Sequence, residues 1–452
     1  MTDVKQYKAD IRIFGEKINE IGSHLSVTKN TMREINADGL TILPGGIDPH
    51  VHLSLPDYVP EQYRWADNYE SGSKAALAGG ITTLGCIAVP EKDETPLGTL
   101  KRETDAAQQQ TIADIMIHPV LHSPTDETLQ EYPKLVEKGC TSIKIFMVAE
   151  DFEKFSLEYL RALFAAKKAG LITLIHCEDY SIITAVCHSL IREGRESLKN
   201  YADSRPVISE VVATQRAIAM CEVTDAPIYI VHLSSERALE VCERAQEHSL
   251  PVYVEGRPIF LYLTREMYLE PEGALYVVQP PLREENDIEA LWRGIQKGTI
   301  HTIATDHAPH TREQKLAPSL NIANLVPGIN ELQVMLPMLH SRGVLEDKIS
   351  LKRFVALTST NSAKLFGLYP RKGTIQVDSD ADLVIWDNKE EREITKADIF
   401  SKAAFSIYEG ERITGWPKIT IRRGEIVYEN GKITALPGSG QVIPRGNPQL
   451  LN

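Results

Sequence analysis

The sequence predicts an α/β fold, a (β/α)₈ TIM barrel with a small β-sandwich formed by both chain ends. Between residues 46 and 306, eight short apolar segments rich in β-branched residues alternate with helical patterns. The segments begin near Gly46, Ile81, Ala113, Thr141, Ile172, Pro227, Val252 and His301. Strands that alternate with helices form parallel βαβ units, and eight units over about 260 residues match a barrel. A doubly wound sheet is the alternative, and the lack of a glycine-rich phosphate loop disfavours it.

Helical periodicity fills several of the intervening stretches, at residues 69–78, 157–168, 209–221 and 235–247. The chain ends carry strand patterns instead, at residues 11–14, 17–21, 381–386, 418–421 and 426–428. After the last of these predicted strands, Asn430-Gly431 is typical of a hairpin turn. We therefore expect residues 1–47 and 369–452 to form the sandwich and residues 48–368 the barrel. The Pro- and Gly-rich residues 437–452 predict a loose tail.

Charge and composition exclude several classes of partner. The 452 residues include 49 Lys and Arg against 62 Asp and Glu, which gives a formal net charge of −13. Nucleic acid is disfavoured because phosphate binding needs a basic excess. We expect no membrane association, since no apolar run reaches the about 20 residues of a membrane span and no signal peptide is evident. The six cysteines form no CxxC motif and indicate reduced thiols, which predicts a cytoplasmic protein.

A histidine pair and one lysine are unusual in the predicted strands. His50 and His52 end the first strand, where residues i and i+2 point to the same side. They can reach one metal ion together, or they form a satisfied structural pair. Lys144 lies inside the otherwise apolar fourth strand, where burial of an unpaired ammonium is costly and lowers its pKa. It either reaches the surface or a carboxylate, or it offers a neutral amine for covalent chemistry.

Six polar residues share one predicted location, the carboxyl ends of the barrel strands, where barrel enzymes carry their active sites. They are His50, His52, Lys144, His176, His232 and Asp306. Imidazole and carboxylate ligands suit Zn²⁺, with Mn²⁺ and Co²⁺ as alternatives. Four histidines and one aspartate suit two ions about 3.5–4 Å apart, if an anion bridges them. The fourth strand has no acidic residue for that bridge, so we hypothesise that CO₂ converts the Lys144 amine into a carbamate.

The motifs around these residues resemble those of the cyclic amidohydrolases, which include dihydropyrimidinases, hydantoinases, allantoinases and dihydroorotases. The opening signature is Asp48-Pro49-His50-Val51-His52. Further similar motifs lie at residues 43–47, 79–83, 142–147, 176–178, 230–235, 280–283 and 305–307. Residues 354–361, 364–366, 368–373 and 380–387 resemble the dihydropyrimidinase and hydantoinase branch. The resemblance covers nearly the whole chain.

The resemblance implies a binuclear metal-dependent hydrolase that opens a cyclic amide or imide of the hydantoin or dihydropyrimidine type. The implied ligands are His50, His52 and Asp306 for the first ion, His176 and His232 for the second, and a carbamylated Lys144 with a hydroxide as bridges. Asp306 would also carry a proton from the attacking water to the leaving nitrogen. The ions are usually zinc in this family. The resemblance further implies a small-molecule substrate and a homo-oligomer, a tetramer or a dimer.

Three positions are expected to contact the substrate. Gln279 stands where relatives have a serine before Pro-Pro-Leu-Arg, and Asn330 matches a position that contacts the substrate amide. His310 is a substrate ligand or a loop histidine. Relatives that act on dihydropyrimidines have a tyrosine shortly after the lysine strand, whereas this chain has Phe146-Met147-Val148-Ala149. That difference counts against ordinary dihydropyrimidine turnover.

Two other functions are weighed against this one. A dihydroorotase or allantoinase is the first, but Ser54 stands where dihydroorotases have an arginine that binds the substrate carboxylate. A non-enzymatic scaffold related to dihydropyrimidinase is the second, and such scaffolds lack several ligands that this chain retains. Beside the ligands, Glu178 is expected to orient a histidine, with a helix cap as the alternative. Specificity is expected to reside in loops at residues 53–68 and 146–156.

Overall fold

The computed structural model describes residues 5–27 and 33–451, and it contains the expected alternation of strands and helices. Residues 1–4, 28–32 and 452, which belong to the expected sandwich and tail, lie outside the described residues. The strands are β1 (Asp10–Phe14), β2 (Lys17–Gly22), β3 (Thr41–Pro44), β4 (Gly46–Val51), β5 (Ile81–Ala88), β6 (Asp114–Pro119), β7 (Ser142–Phe146), β8 (Ile172–His176), β9 (Ile228–Ile230), β10 (Val252–Gly256), β11 (Thr302–Ile303), β12 (Leu383–Glu393), β13 (Arg412–Arg422), β14 (Glu425–Glu429) and β15 (Lys432–Ile433).

The α-helices lie mainly between the parallel strands. They are α1 (Tyr69–Ala78), α2 (Pro96–Gln110), α3 (Asp126–Gln130), α4 (Tyr132–Glu137), α5 (Glu150–Lys154), α6 (Ser156–Ala169), α7 (Tyr180–Arg192), α8 (Tyr201–Ser204), α9 (Val207–Thr224), α10 (Glu236–Glu247), α11 (Glu285–Lys297), α12 (Arg312–Lys315), α13 (Met335–Leu339), α14 (Leu351–Val355) and α15 (Asn361–Leu365). The four predicted helices are confirmed as α1, α6, α9 and α10. In the described part of the chain, no helix combines the length and the apolar character needed to cross a membrane.

Eight parallel strands, β4 to β11, form the layer that carries the site. β4, β5 and β6 make one sheet, and β7 to β11 make a second sheet in sequence order. Parallel bridges link the two sheets on both sides, from Val120 to Lys144 and from Val51 to His307. Every strand begins within one residue of its predicted position. The order is consistent with the predicted barrel.

These strands are almost entirely buried because helices cover their outer side. The residues of β4, β5, β6, β8 and β10 are all buried. Continuous apolar runs are typical of parallel strands that are covered on both faces. Local signals set the helix boundaries: α1 begins after Asn68, whose side chain accepts a hydrogen bond from the Ser71 backbone N–H. The strand ends are thereby held in fixed positions relative to one another.

The two ends of the chain meet in antiparallel sheets. The order β15-β14-β13-β12-β3 places the N-terminal strand β3 against the C-terminal strand β12. β1 and β2 form a separate hairpin, which is bridged to the C-terminal part by Lys17 and Asp380. The predicted hairpin turn is confirmed, since Asn430 and Gly431 have φ of 47° and 83° between β14 and β15. β3 was not predicted, because a segment of four residues gives too short a pattern.

The prediction of a loose tail is wrong for residues 437–451. Val442 pairs with Ile115, and the Ile443 backbone N–H donates to the Ile115 carbonyl at 2.8 Å. Arg445 is buried and donates to Ser142 Oγ at 2.7 Å and to the Ile117 carbonyl at 2.8 Å. These contacts satisfy polar groups of β6 and β7. Proline and glycine here produce an irregular path rather than an absence of contacts.

Candidate metal centre

The structure brings the six predicted polar residues together at the carboxyl ends of the parallel strands. They are His50 from β4, His52 directly after β4, Lys144 from β7, His176 from β8, His232 after β9 and Asp306 after β11. All six side chains are buried. Buried charged and imidazole groups need partners, so the geometry among them decides which chemistry they can perform.

One group of ligand atoms consists of His50, His52 and Asp306, which each offer one atom within 4.8 Å of the others. Nε2 of His52 lies 2.9 Å from Asp306 Oδ1, and Nε2 of His50 lies 3.4 Å from the same oxygen. Two residues apart along the strand, the two histidines point to the same side. Two imidazole nitrogens and a carboxylate oxygen are a donor set that suits Zn²⁺.

Lys144 lies next to this group. Its Nζ is 3.5 Å from Nε2 of His50 and 4.9 Å from the centre of the Phe146 ring. It forms no ion pair with any carboxylate of the described residues, and burial lowers its pKa to about 8. A neutral amine is therefore accessible here at ordinary pH, which an exposed lysine does not offer.

His176 and His232 form the second part of the cluster. Their ring centres are 4.6 Å apart, and the ring of His232 is 5.5 Å from that of His50. Nε2 of His176 lies 2.8 Å from Oε2 of Glu178, which also forms an ion pair with Arg205. The expectation that Glu178 orients a histidine is thus confirmed. Its contact leaves Nδ1 of His176 for another ligand.

Glu255 connects the two groups, and the sequence analysis missed it. Its Oε1 lies 2.9 Å from Nδ1 of His50 and accepts a hydrogen bond from the His232 backbone N–H at 2.8 Å. Burial raises the pKa of Glu255 to about 8. Like Lys144, it is a charged residue type inside an apolar strand, so the same signal could have identified it.

Arg257, which follows β10, was also missed. Its Nη1 donates to Asp306 Oδ2 at 2.7 Å, while Oδ1 faces the histidines. Burial alone would raise the pKa of Asp306, but Arg257, His50 and His52 hold it well below the usual value. Asp306 is therefore ionised, with one oxygen held by the guanidinium and the other directed to the imidazoles.

The three expected substrate contacts lie in loops that follow β10 and β11. Gln279 is half-buried and precedes Pro280. Asn330 Nδ2 donates to the Phe405 carbonyl, while its buried Oδ1 has no partner among the described residues. His310 lies beside the carbonyls of Pro327 and Arg64, and burial lowers its pKa to about 3. Its buried Nδ1 has no hydrogen-bond partner among the described residues, so the assignment of His310 as substrate ligand or loop histidine stays a prediction.

The wall of the site includes aromatic side chains from the two expected specificity loops. The ring of Trp65 is 4.8 Å from that of His52, and the ring of Phe146 is 5.8 Å from that of His176. No tyrosine occurs at residues 146–149. The polar cluster is therefore bordered by apolar surface, which suits a small ring that carries only a few polar groups.

The cluster contains buried polar atoms that have no hydrogen-bond partner. Among the described residues, they are Nδ1 of His52, Nδ1 of His232 and Oε2 of Glu255. Buried polar atoms without a partner are uncommon and call for an ion, a water or a ligand. Together with the imidazole and carboxylate donors, these atoms fit divalent ions.

Comparison with known proteins agrees with this geometry. The profile described as the amidohydrolase family matches residues 41–427. The chain belongs to the amidohydrolase family. This amidohydrolase is 34% identical over 451 residues to D-hydantoinase from Geobacillus stearothermophilus, with 98% of this chain and 94% of the relative covered. That similarity places it in the hydantoinase branch of the family.

Solved structures extend the similarity to the whole fold. The crystal structure of D-hydantoinase from Bacillus sp. AR9 superposes with a TM-score of 0.95 at 32% identity, covering 100% of this chain and 98% of that one. Dihydropyrimidinase from Brevibacillus agri superposes with a TM-score of 0.93 at 32% identity, covering 99% and 97%. The amidohydrolase therefore shares its architecture with a D-hydantoinase and with a dihydropyrimidinase.

Proposed function

We propose that this amidohydrolase is a binuclear metal-dependent hydrolase that opens a cyclic amide or imide of the hydantoin or dihydropyrimidine type. The observation that carries the proposal is the buried group of His50, His52 and Asp306, with ligand atoms within 4.8 Å. The buried amine of Lys144 beside it supports a site for two ions rather than one. The similarity to D-hydantoinases and a dihydropyrimidinase supports a substrate ring of the hydantoin or dihydropyrimidine type.

Two divalent ions would be held by the cluster. His50, His52 and Asp306 would hold the first, His176 and His232 the second, and a carbamate on Lys144 would contact both. Zinc is the expected metal, with manganese and cobalt as alternatives, because imidazole and carboxylate ligands suit all three. When bound, the ions would polarise the ring carbonyl and lower the pKa of the attacking water.

The carbamate would form from Lys144 and CO₂. The lone pair of neutral Nζ would attack the carbon of CO₂, and a nitrogen–carbon bond would form as one carbon–oxygen π bond breaks and leaves its electron pair on oxygen. The nitrogen would then lose one proton to solvent. The product is an anion with two oxygen donors. The lowered pKa of Lys144 favours the neutral amine that this step requires.

Asp306 would be the catalytic acid and base. Arg257 holds its Oδ2 and leaves Oδ1 on the side of His50 and His52. Oδ1 would take a proton from the attacking water and deliver it to the ring nitrogen as that nitrogen leaves. A low pKa keeps the carboxylate ionised, which is the form that a general base requires.

The substrate would be held by Gln279, Asn330 and His310, with Trp65 and Phe146 limiting the access of water. Asn330 has a buried Oδ1 that is unpartnered among the described residues and can accept a ring N–H. A carboxylated ring such as dihydroorotate is disfavoured. Ser54 donates to Glu103 at 2.9 Å, and no arginine follows His52 by two residues.

The proposal also covers closure of the barrel, the sandwich at the chain ends and the oligomeric state. We assign β4 to β11 to a closed (β/α)₈ barrel and the sheets of both chain ends to one β-sandwich. We expect a homo-oligomer, a tetramer or a dimer, which light scattering of the purified protein would test. All six cysteines are buried and unpaired, which agrees with a reducing compartment such as the cytoplasm.

A hydrolysis panel tests the proposal. The purified protein, supplied with Zn²⁺ or Mn²⁺, would be assayed with hydantoin, dihydrouracil, allantoin, dihydroorotate and phthalimide. We expect opening of hydantoin or an analogue, and loss of that activity in Asp306→Asn. Strong preference for dihydroorotate would overturn the substrate assignment. A protein that bound no divalent ion and opened no ring would overturn the enzyme assignment.

A further inference from the structure

A segment outside the parallel strands reaches the candidate metal centre. This segment, residues 401–408, lies between β12 and β13 in the C-terminal region. Tyr408 Oη donates to Glu331 Oε1 at 2.7 Å, and Arg257 Nε donates to Glu331 Oε2 at 3.2 Å. Arg257 Nη1 then donates to Asp306 Oδ2 at 2.7 Å. The four side chains form one continuous buried chain of hydrogen bonds.

The same segment supports the residue next to Asp306. Asp67 accepts hydrogen bonds from Ser401 Oγ at 2.6 Å and from the Lys402 backbone N–H at 2.7 Å. Oδ2 of Asp67 lies 2.9 Å from Nε2 of His307. The carbonyl of His307 accepts from the His52 backbone N–H at 2.8 Å. The carboxylates of Glu331 and Asp67 therefore connect residues 401–408 to two consecutive residues, Asp306 and His307.

The backbone of Asp306 needs such support. Its φ is 48°, in the left-handed region that residues with a side chain rarely adopt. A conformation of this kind costs free energy and persists only where its surroundings fix it. Arg257 supplies two of the contacts, through Asp306 Oδ2 and through a hydrogen bond from Nη2 to the Asp306 carbonyl at 3.3 Å.

We propose that the segment 401–408 is part of the active centre, and that Tyr408 and Glu331 are positioning residues that orient Asp306 through Arg257. Glu331 holds the guanidinium with one oxygen, and Tyr408 holds Glu331 by the other. The guanidinium fixes Asp306 Oδ2, so Oδ1 stays directed to His50 and His52. The inference rests on the proposed role of Asp306 as metal ligand and proton carrier.

A pair of tyrosine variants separates positioning from packing. Tyr408→Phe removes the hydroxyl that donates to Glu331. Tyr262→Phe is the matched control: its ring is 6.3 Å from that of Tyr408, and its buried hydroxyl has no hydrogen-bond partner among the described residues. Both variants remove one hydroxyl from the same neighbourhood and keep the ring. Circular dichroism and the melting temperature would establish that both fold.

The readouts are Co²⁺ affinity, followed by the visible absorption of the bound ion, and the separate values of kcat and KM. We expect Tyr408→Phe to weaken Co²⁺ binding measurably, by less than the about 10- to 100-fold that loss of a direct partner of a ligand costs, and to lower kcat with little change in KM. Glu331→Gln places an N–H donor or a weaker acceptor against Arg257. It should lower Co²⁺ affinity and kcat more than Tyr408→Phe does. Tyr262→Phe should change neither quantity.

Equal Co²⁺ affinity in the wild type, Tyr408→Phe and Glu331→Gln would overturn the inference, as would an equal loss in Tyr262→Phe. A wild type without Co²⁺ binding would overturn it as well. If the wild type binds Co²⁺ but opens no ring, the affinity comparison still decides the inference, and only the proposed hydrolysis fails. The two proposals can therefore fail separately.

Discussion

The amine of Lys144 lies 3.5 Å from Nε2 of His50. At this distance, an anion formed on the lysine would stand directly beside the proposed ligand. Burial lowers the pKa of Lys144 to about 8, and it also lowers the pKa of His50 well below its usual value. Both groups are thus available in the neutral form that carbamylation and metal binding require.

Lys144→Ala should abolish both metal binding and ring opening, because it removes the anion that would bridge the ions. Small carboxylic acids such as acetate should restore part of each, since they can enter the space and supply a carboxylate. Metal content by mass spectrometry and hydrolysis rates would be measured with and without acetate. Lys101→Ala, on an exposed helix surface, should match the wild type. Full metal content in Lys144→Ala would contradict the prediction.

Glu255→Gln should weaken metal binding about 10- to 100-fold while the protein stays folded. The amide keeps the size of the side chain but replaces one of the two carboxyl oxygens, and Oε1 of that group lies 2.9 Å from Nδ1 of His50. His50 would then be a poorer ligand, because its ring is less strongly polarised and less firmly oriented. Titration with Zn²⁺ against a competing chelator measures the affinity. An unchanged affinity would show that Glu255 serves the fold alone.

Asp380→Asn should destabilise the protein at neutral pH by about 2 kcal/mol, the scale of a hydrogen bond to a charged group. Asp380 lies within 2.7 Å of Lys17 Nζ and 3.2 Å of Lys372 Nζ. Burial alone would raise its pKa, but Lys372, Lys17 and Arg371 hold it below the usual value.

The effect of Asp380→Asn should depend on pH in a defined direction. Because the folded pKa is depressed, the stabilisation is fully present above the unfolded pKa of about 3.9 and is lost as pH falls through the folded value. The difference between the urea midpoints of wild type and Asp380→Asn should therefore shrink below pH 4. Asp105→Asn, at an exposed ion pair, should show little difference at any pH. A difference in urea midpoint between wild type and Asp380→Asn that stayed constant with pH would show that the ionised carboxylate is not the source of the stabilisation.

Arg445→Ala should lower the free energy of unfolding by about 2 kcal/mol or more. The buried guanidinium donates to Ser142 Oγ and to the Ile117 carbonyl, and its removal leaves both acceptors without that donor. Differential scanning calorimetry would show a lower melting temperature. Arg412→Ala, whose side chain is largely exposed, should melt like the wild type. Equal melting of the Arg445 variant would mean that the tail contributes no stability.

The strand order and the polar residues at the strand ends could be predicted because both depend on local pattern. Apolar runs of five to eight residues identify buried parallel strands, and a histidine or lysine inside such a run stands out. Lys144 and the pair His50 and His52 were found in this way. The family to which the chain belongs could also be predicted, from the motifs around these residues, and it is confirmed.

What could not be predicted depends on contacts between distant parts of the chain. Arg257 and Tyr408 belong to segments without a periodic pattern, and their roles exist only because the fold places Glu331 between them. The tail gave a wrong prediction for the same reason, since proline and glycine indicate irregular backbone but say nothing of what that backbone contacts. Gln279, Asn330 and His310 stay predictions.

The pairing of β3 with β12 joins residues near the start of the chain to residues near its end. During synthesis on the ribosome, Thr41–Pro44 has no partner strand until Leu383 has emerged, and Glu331 has no tyrosine donor until Tyr408 follows. A nascent chain that stops before residue 408 already carries all six proposed metal-site residues. It lacks the tyrosine that donates to Glu331 behind Arg257, so a truncated product is an incomplete centre however many ligands it contains.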